Sequence, residues 1–501
     1  MGKKSKRTKQ SEAIVGETPR PAPALRKPDT NEIETKDNLK FEDPFVDELE
    51  EEDVFEGDGD DIEDDEEVIY DEDGNREIVQ SWNPLTGEEL APGQELEMDP
   101  SAYKMHHGLN PEWPSLSFDF IRDDLGESRT RFPHTLTAVV GTQAGRREDN
   151  QLTIMKLSDL ARMHVETEDD ILGEEYNPDK DDDDDESDDE LLDTDPVLES
   201  FSISHDGGVN RIRSMPQQSH IVATWSDVGR VNIFNLESVL SKFSQRKTKS
   251  SVSLSEIKPM FVHSKHPTEG FALDWSPVKE GHLASGDCAG NIHLWTPRPE
   301  GVFDVTPSYE SKLYSAGQSA DSPSVEDIQW SPSEGTVFCT AESGGYVRIF
   351  DTRAPNRAML SHKIQSDGAD VNVVSWNKLV TNLLACGGDD GVLSVWDLRH
   401  FSAKTPDPLA RFTTHKTPIT SVEWHPTDES MLAASDDVGT YIYDLSVEED
   451  DNKGDVDVPP QLLFVHCGSE QFKEVHWHPQ ISSCLMTTAL SGFSVFIPSN
   501  L

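Results

Sequence analysis

The stretch VNVVSWNKLVTNLLACGGDDGVLSVWDLR, from Val371 to Arg399, decides the fold. It opens on an apolar–polar alternation ending at Trp376, continues through the apolar LLAC, turns at Asp389-Asp390-Gly391, and closes on a second run ending Trp396-Asp397. Alternation with a period of two marks β-strands, and Asp-Asp-Gly supplies side-chain turn bonds and a residue free to take positive φ. The same order recurs on both sides. FALDWSP…HLASGDCAGNIHLW (271–295) and VEDIQWSP…VFCTAESGGYVRIFD (325–351) precede it, while ITSVEWHP…MLAASDDVGTYIYD (419–444) and FKEVHWHP…CLMTTALSGFSVF (472–496) follow. A degenerate copy, VNRIRSMP…IVATWSDVGRVNIF (209–234), stands earlier. The anchors Trp275, Trp330, Trp376, Trp424 and Trp477 lie 55, 46, 48 and 53 residues apart. A repeat of roughly 40–55 residues made of short strands is what four-stranded propeller blades look like. Each blade leaves its faces exposed until a ring closes, so a further blade is required.

That blade is read from PSLSFDFI (114–121), HTLTAVVG (134–141), NQLTIMKL (150–157) and VLESFSIS (197–204). The last copy lacks a fourth strand. YKMHH (103–107) stands before PSLSFDF much as LFVHC (463–467) stands before FKEVHW, which makes it the expected donor. The sequence thus predicts an all-β protein, a seven-bladed propeller over residues 81–501.

Composition bounds the rest. The chain has 501 residues, 96 Asp+Glu against 43 Lys+Arg, and a net charge of −53. Residues 42–73 hold 20 acids and no base, and residues 166–195 hold 18 acids and one base. Residues 1–80, basic and then acidic, cannot bury enough apolar surface to offset the entropy of ordering and are expected to be a disordered tail. Three insertions interrupt the blades: an acidic one at 158–196, a Ser/Lys-rich loop at 237–258 and an acidic loop at 446–460. No apolar stretch is long enough for a membrane helix, and MGKKSKRTKQ is followed by no apolar segment. The five cysteines have no CxxC spacing and read as buried free thiols in a reducing compartment. The acidic excess repels nucleic-acid phosphates and favours a basic partner. Phosphate-binding Gly loops, metal-ligand clusters and nucleophile elbows are not seen in the sequence, so no enzyme activity and no cofactor are expected.

The copies resemble WD repeats. One ends in the literal Trp396-Asp397, and Phe350-Asp351 and Tyr443-Asp444 are variants; His415 precedes its blade at the usual place. A His–Ser/Thr–Asp–Trp chain of hydrogen bonds within a blade is the structural role of such residues. A catalytic triad is the rejected alternative, because the spacing recurs blade after blade.

Two segments go further. Glu88 to Asp123, and EEDDNKGDVDVPPQLLFVH (448–466), resemble the branch that holds the histone-binding WD proteins of chromatin complexes. With the acidic tracts, WNPLTGEELAPGQELEMD (82–99) is most similar to the glutamate-rich WD-repeat proteins of ribosome biogenesis. The resemblance, over about residues 80–501, implies a chaperone of the third protein of the large ribosomal subunit. Such a chaperone captures its client, shields it and delivers it to nucleolar pre-ribosomes. Pro84, Gly87, Pro92, Gly93 and Pro100 break helices, which argues against the N-terminal helix that histone-binding relatives use in their histone groove.

Candidate residues follow. Glu448, Glu449, Asp450, Asp451, Asp455 and Asp457, anchored by Pro459-Pro460, are read as the partner-binding loop. Glu50, Glu51, Glu52 and Asp53, with Asp181, Asp182, Asp183, Asp184 and Asp185, belong to tracts that screen a basic client without fixed geometry. Lys3, Lys4, Lys6 and Arg7 read as a nuclear import signal, with nucleus, nucleolus and cytoplasm as the expected locations. Ser187, followed by acids, fits an acidophilic kinase. Arg353 and Arg399, in FDTR and WDLR, resemble the paired pattern of substrate adaptors that dock on a cullin-linked propeller. Histone chaperone and ligase adaptor are therefore the competing readings. A monomer is expected, with no membrane and no direct nucleic-acid partner.

Overall fold

In the computed structural model of the chain, the described residues are 98–163, 195–244, 257–310, 323–354, 357–365, 368–401, 406–448 and 458–501, with Glu67–Tyr70, Arg76–Val79 and Leu85. Seven four-stranded antiparallel sheets follow one another along the chain. Blade 1 comprises Phe118–Phe120, His134–Gly141, Gln151–Leu160 and Val197–Ser204, here called strands a to d from the channel outward. Strand a of the next five blades is Val209–Met215, Leu273–Trp275, Val325–Trp330, Val371–Trp376 and Ser421–Trp424. Blade 7 comprises Glu474–Trp477, Leu485–Ala489 and Gly492–Pro498, and its outer strand is Tyr103–Leu109.

The expected donor therefore closes the ring. Met105 faces Ile497, His107 faces Val495 and Leu109 faces Phe493 across an antiparallel ladder. Tyr103 is buried between Phe464 and Phe496, and its hydroxyl lies 2.8 Å from His466 Nδ1. Gly492 admits the incoming strand: a Cβ there would lie 2.2 Å from the Leu109 carbonyl oxygen.

The core consists of apolar clusters packed between neighbouring blades, with the five anchor tryptophans all buried. Of the expected turns, Gly391 takes φ 69°, as its position requires. The turn at Asp436-Asp437 is closed instead by the Asp436 carboxylate, which accepts from the N–H groups of Val438 and Gly439. Among the described residues all five cysteines are free and four are buried, Cys288 being half-buried.

One expectation needs correction. Residues 237–258 are not loop throughout, because Glu237–Ser244 is an α-helix. Val239, Leu240 and Phe243 form an apolar face that packs on blades 1 and 2, and the Asn235 carboxamide accepts from the Glu237 N–H at the helix start.

The chain divides into two units, Met1–Gly16 with Ser81–Leu501, and Glu17–Gln80. In the second the structure describes one antiparallel hairpin, Glu67–Tyr70 with Arg76–Val79, inside the stretch read as tail. The rest of residues 1–80 lies outside the described residues. Of the expected helix-free stretch 82–101, Leu85 is a turn residue and Pro100–Ala102 enter a single 3₁₀ turn capped by Asp99; residues 82–84 and 86–97 lie outside the description.

Because neighbouring strands are antiparallel, the a–b and c–d turns of every blade lie at one end of the ring, and the b–c and d–a turns at the other. We call these the lower and upper faces. Both acidic insertions join strands c and d. The chain leaves the described structure after Met163 and Glu448 and re-enters at Asp195 and Val458, all on the lower face.

Candidate functional site

The innermost strand of a blade has a bare edge toward the channel, and its N–H groups need partners. They find them in side chains of the preceding blade. The residue just before the anchor position is Asp119, Arg213, Asp274, Gln329, Ser375, Glu423 and His476 in blades 1 to 7. Asp119 accepts from the Ser214 N–H, Asp274 from Trp330, Gln329 from Trp376, Ser375 from Trp424 and Glu423 from Trp477, at 2.7–3.2 Å. Two positions earlier, Ser117, Asp327, Ser421 and Glu474 serve the next blades in the same way. In five of the seven blades the residue before the anchor position is thus an acceptor because an unpaired edge faces it, Arg213 and His476 being the exceptions.

All of these side chains but Ser117 and Glu474 wall a cavity of about 270 Å³ that opens on the lower face. Its charges are unevenly matched. Glu474 is fully buried, with Oε1 2.7 Å from Arg211, 2.9 Å from Arg213 and 3.5 Å from His476. Burial would raise Glu474, but Arg213 and His476 hold it well below the usual carboxylate range. Burial would lower His476, yet Glu474 and Glu423 bring it up to about 9. Glu423, opposed by His476 and Lys378, is brought down to about 2 despite its burial. In contrast, burial raises Asp119 and Asp327, and pushes Asp274 up to about 7. The mouth is rimmed by Pro216, Pro277, Pro332, Pro426 and Pro479, with Arg122 and Lys378 in the equivalent places of blades 1 and 5.

The upper mouth is acidic. Burial raises Glu326, and the nearby Asp370 and Asp389 raise it further. Asn210 donates to Glu269 and Asn372 to Asp389, so amides orient part of this rim.

The histidine chain expected within a blade is complete in blade 3. His266 lies 2.7 Å from Asp287 and 2.9 Å from Ser285, which also accepts from the Trp295 indole N–H. In blade 6, His415 lies 3.2 Å from both Asp436 and the Tyr443 hydroxyl, with tyrosine standing in for tryptophan. Among the described residues His263, His266 and His293 come close enough to share a metal ion. However, His266 uses both nitrogens within its blade and stacks on His293, whose Nδ1 lies 2.9 Å from His263 Nε2. With these nitrogens engaged in hydrogen bonds within the protein, this group is blade packing.

Of the residues singled out from sequence, Glu448 is exposed at the edge of the lower face. Glu449, Asp450, Asp451, Asp455, Asp457, both acidic tracts, Lys3, Lys4, Lys6, Arg7 and Ser187 lie outside the described residues. Arg353 and Arg399 stand on adjacent blades of the lower face, their side chains 70% and 71% exposed, each held by the aspartate two residues before it. Sequence reasoning missed the channel wall, although aligning the copies on their tryptophans would have exposed it. Glu326, Asp370 and Asp389 carry no such signal, since Glu326 of blade 4 and the two aspartates of blade 5 hold no common place relative to the tryptophans.

A family model described as histone-binding protein RBBP4, or the corresponding member of the CAF1 complex, matches residues 93–161, and the WD domain, G-beta repeat model matches 406–437. The first match holds the closing strand and strands a to c of blade 1. The chain is similar to protein HEAT STRESS TOLERANT DWD 1 of Arabidopsis thaliana, at 40% identity over 84% of this chain and 91% of that protein. It is 37% identical to ribosome assembly protein rrb1 of Schizosaccharomyces pombe, over 91% and 92%. It is 40% identical to glutamate-rich WD repeat-containing protein 1 of Dictyostelium discoideum, over 83% and 84%. With this ring, these segments and relatives of this identity and coverage, the chain belongs to the glutamate-rich WD-repeat family, a relation of the histone-binding WD proteins.

Proposed function

We propose that the protein is a non-enzymatic chaperone that binds a basic protein of the large ribosomal subunit, shields it and hands it to nucleolar pre-ribosomes. The observation that carries this reading is the rooting of both acidic insertions at the outer edge of one face of a rigid ring, the face on which the channel cavity opens. A ribosomal protein carries cations meant for RNA phosphate. Acidic tracts screen them, a fixed face selects the client, and the denser charge of RNA displaces the chaperone at the assembly site. The similarity to a ribosome assembly protein supports this choice of client. Nucleus and nucleolus are the proposed places of delivery, with capture in the cytoplasm.

Within this scheme the loop holding Glu448, Glu449, Asp450, Asp451, Asp455 and Asp457 contacts the client, since carboxylates tied to the ring lose less entropy on binding than those of a long tract. Alanine substitution of these residues is expected to raise the dissociation rate, while deleting 42–73 lowers the association rate and its salt dependence. Stopped-flow kinetics with a purified basic ribosomal protein reads both. An unchanged dissociation rate in the loop variant removes the loop from the site. Failure to bind any ribosomal protein removes the reading.

A histone client is the second reading, favoured by the match over residues 93–161. Competition between a histone pair and the ribosomal protein separates the two. The exposed Arg353 and Arg399 favour a side role in ligase docking; reversing their charges would abolish it and leave basic-client binding intact.

A further inference from the structure

The lower cavity contains one group left over. Asp119 and Asp327 each have both carboxylate oxygens bonded to backbone N–H groups. Glu423 and Glu474 face cations. Asp274 accepts only from the Trp330 N–H, through Oδ2, and its Oδ1 has no hydrogen-bond partner among the described residues. On either side stand two further unmet groups. The Ser214 hydroxyl and the Trp330 indole N–H are buried without a partner, although Trp330 is only 5% exposed. The indoles of Trp275, Trp424 and Trp477 in contrast donate to carbonyls of the preceding blade. Ser214, Asp274 and Trp330 come from three consecutive blades and line the same cavity.

We propose that this cavity is a socket for one cationic side chain, lysine or arginine, entering from the lower face and ending at Asp274. At 270 Å³ the space falls below the roughly 300–1,000 Å³ of sites for drug-sized molecules and suits a single extended side chain. Trp275 and Trp330 supply aromatic wall for the aliphatic stem and the cation. Asp274 Oδ1 accepts from the charged head, with the Trp330 ring in the same wall. A neutral apolar side chain would leave Asp274 as unmatched as before. A bound cation also adds to the counter-charge of Arg213 and Lys378, which by itself does not offset the burial of that carboxyl.

The socket deepens the reading of the partner as a basic protein and rests on it. The test uses the full chain with ¹⁵N-labelled tryptophan, the Trp330 indole signal being assigned with Trp330→Phe. Blocked tripeptides Gly-Lys-Gly, Gly-Arg-Gly and Gly-norleucine-Gly are titrated in. Lysine or arginine is expected to shift the Trp330 signal saturably, norleucine is not, and Asp274→Asn is expected to weaken the response at least ten-fold. Asparagine keeps an oxygen for the Trp330 N–H, so the ring should fold, and an unchanged melting temperature checks this. A norleucine response equal to that of lysine, or an Asp274→Asn chain that titrates as the parent does, overturns the socket. If basic proteins bind the full chain while the tripeptides leave Trp330 unmoved, the socket fails and the chaperone reading stands. If the tripeptides titrate on a chain with no affinity for basic proteins, the socket stands and that reading fails.

Discussion

Glu474 is enclosed on all sides, and its carboxylate serves Arg211, Arg213, His476 and the Phe118 N–H at once. Gln329, in the same wall, accepts one backbone N–H with a neutral amide. Removing one partner of a buried ion cluster strands the others, so Glu474→Gln is expected to destabilise by about 3–5 kcal/mol. Gln329→Ala leaves one N–H unmet and is expected to cost about 1–3 kcal/mol. Urea unfolding separates the two, and equal costs would show that the cluster is solvated. In Glu474→Gln the His476 titration, raised to about 9 in the parent, is expected to fall. At this scale the sequence was half legible. Asp274, Gln329, Ser375 and Glu423 each stand one residue before a tryptophan that was read correctly, but their purpose depends on the next blade, some fifty residues on. The unmet Oδ1 of Asp274 was not legible, because only the ring reveals that Arg213 and Lys378 act on this carboxyl without bonding it.

The strand Tyr103–Leu109 joins the beginning of the ring to its end. Its removal exposes Phe464, Phe496 and the ladder edge of Gly492–Pro498 together. Truncation before residue 110 is therefore expected to lower the melting temperature sharply and bring on aggregation, because an open edge invites pairing with another chain. Truncation of residues 1–66 is expected to leave it unchanged. Scanning calorimetry on both forms checks the assignment, and equal melting would refute it. This strand could be read because YKMHH occupies the place before its blade that LFVHC occupies before the last one. The helix Glu237–Ser244 could not. It spans eight residues, sits in a Ser- and Lys-rich run, and owes its existence to the groove that receives Val239 and Phe243.

Among the described residues, buried histidines with lowered pKa values outnumber buried carboxylates with raised ones. Burial holds His106, His134 and His263 down to about 4, and His293 and His478 to about 3. These groups are neutral in the folded ring but take up protons near pH 6.5 once unfolded. As pH falls from 6.5 toward 4 the unfolded state binds more protons and stability drops, by up to about 1.4 kcal/mol per pH unit for each histidine. Asp274, raised to about 7, works in the opposite direction over the whole of that window. Urea unfolding at successive pH values is expected to show a steep net loss below pH 6.5, and a flat profile would contradict it. The repeat made the architecture legible at this scale, but the lower-face rooting of the insertions needed the strand order within each blade. The closing ladder also has a consequence in time. Tyr103 and its partner His466 lie 363 positions apart. At roughly 5–20 residues per second of synthesis, the first strand waits from about twenty seconds to over a minute for its mate. Throughout that interval a neighbouring copy that has just been completed offers the same ladder. On crowded polysomes the clasp would then be exchanged between chains, giving swapped dimers in proportion to how densely the message is read.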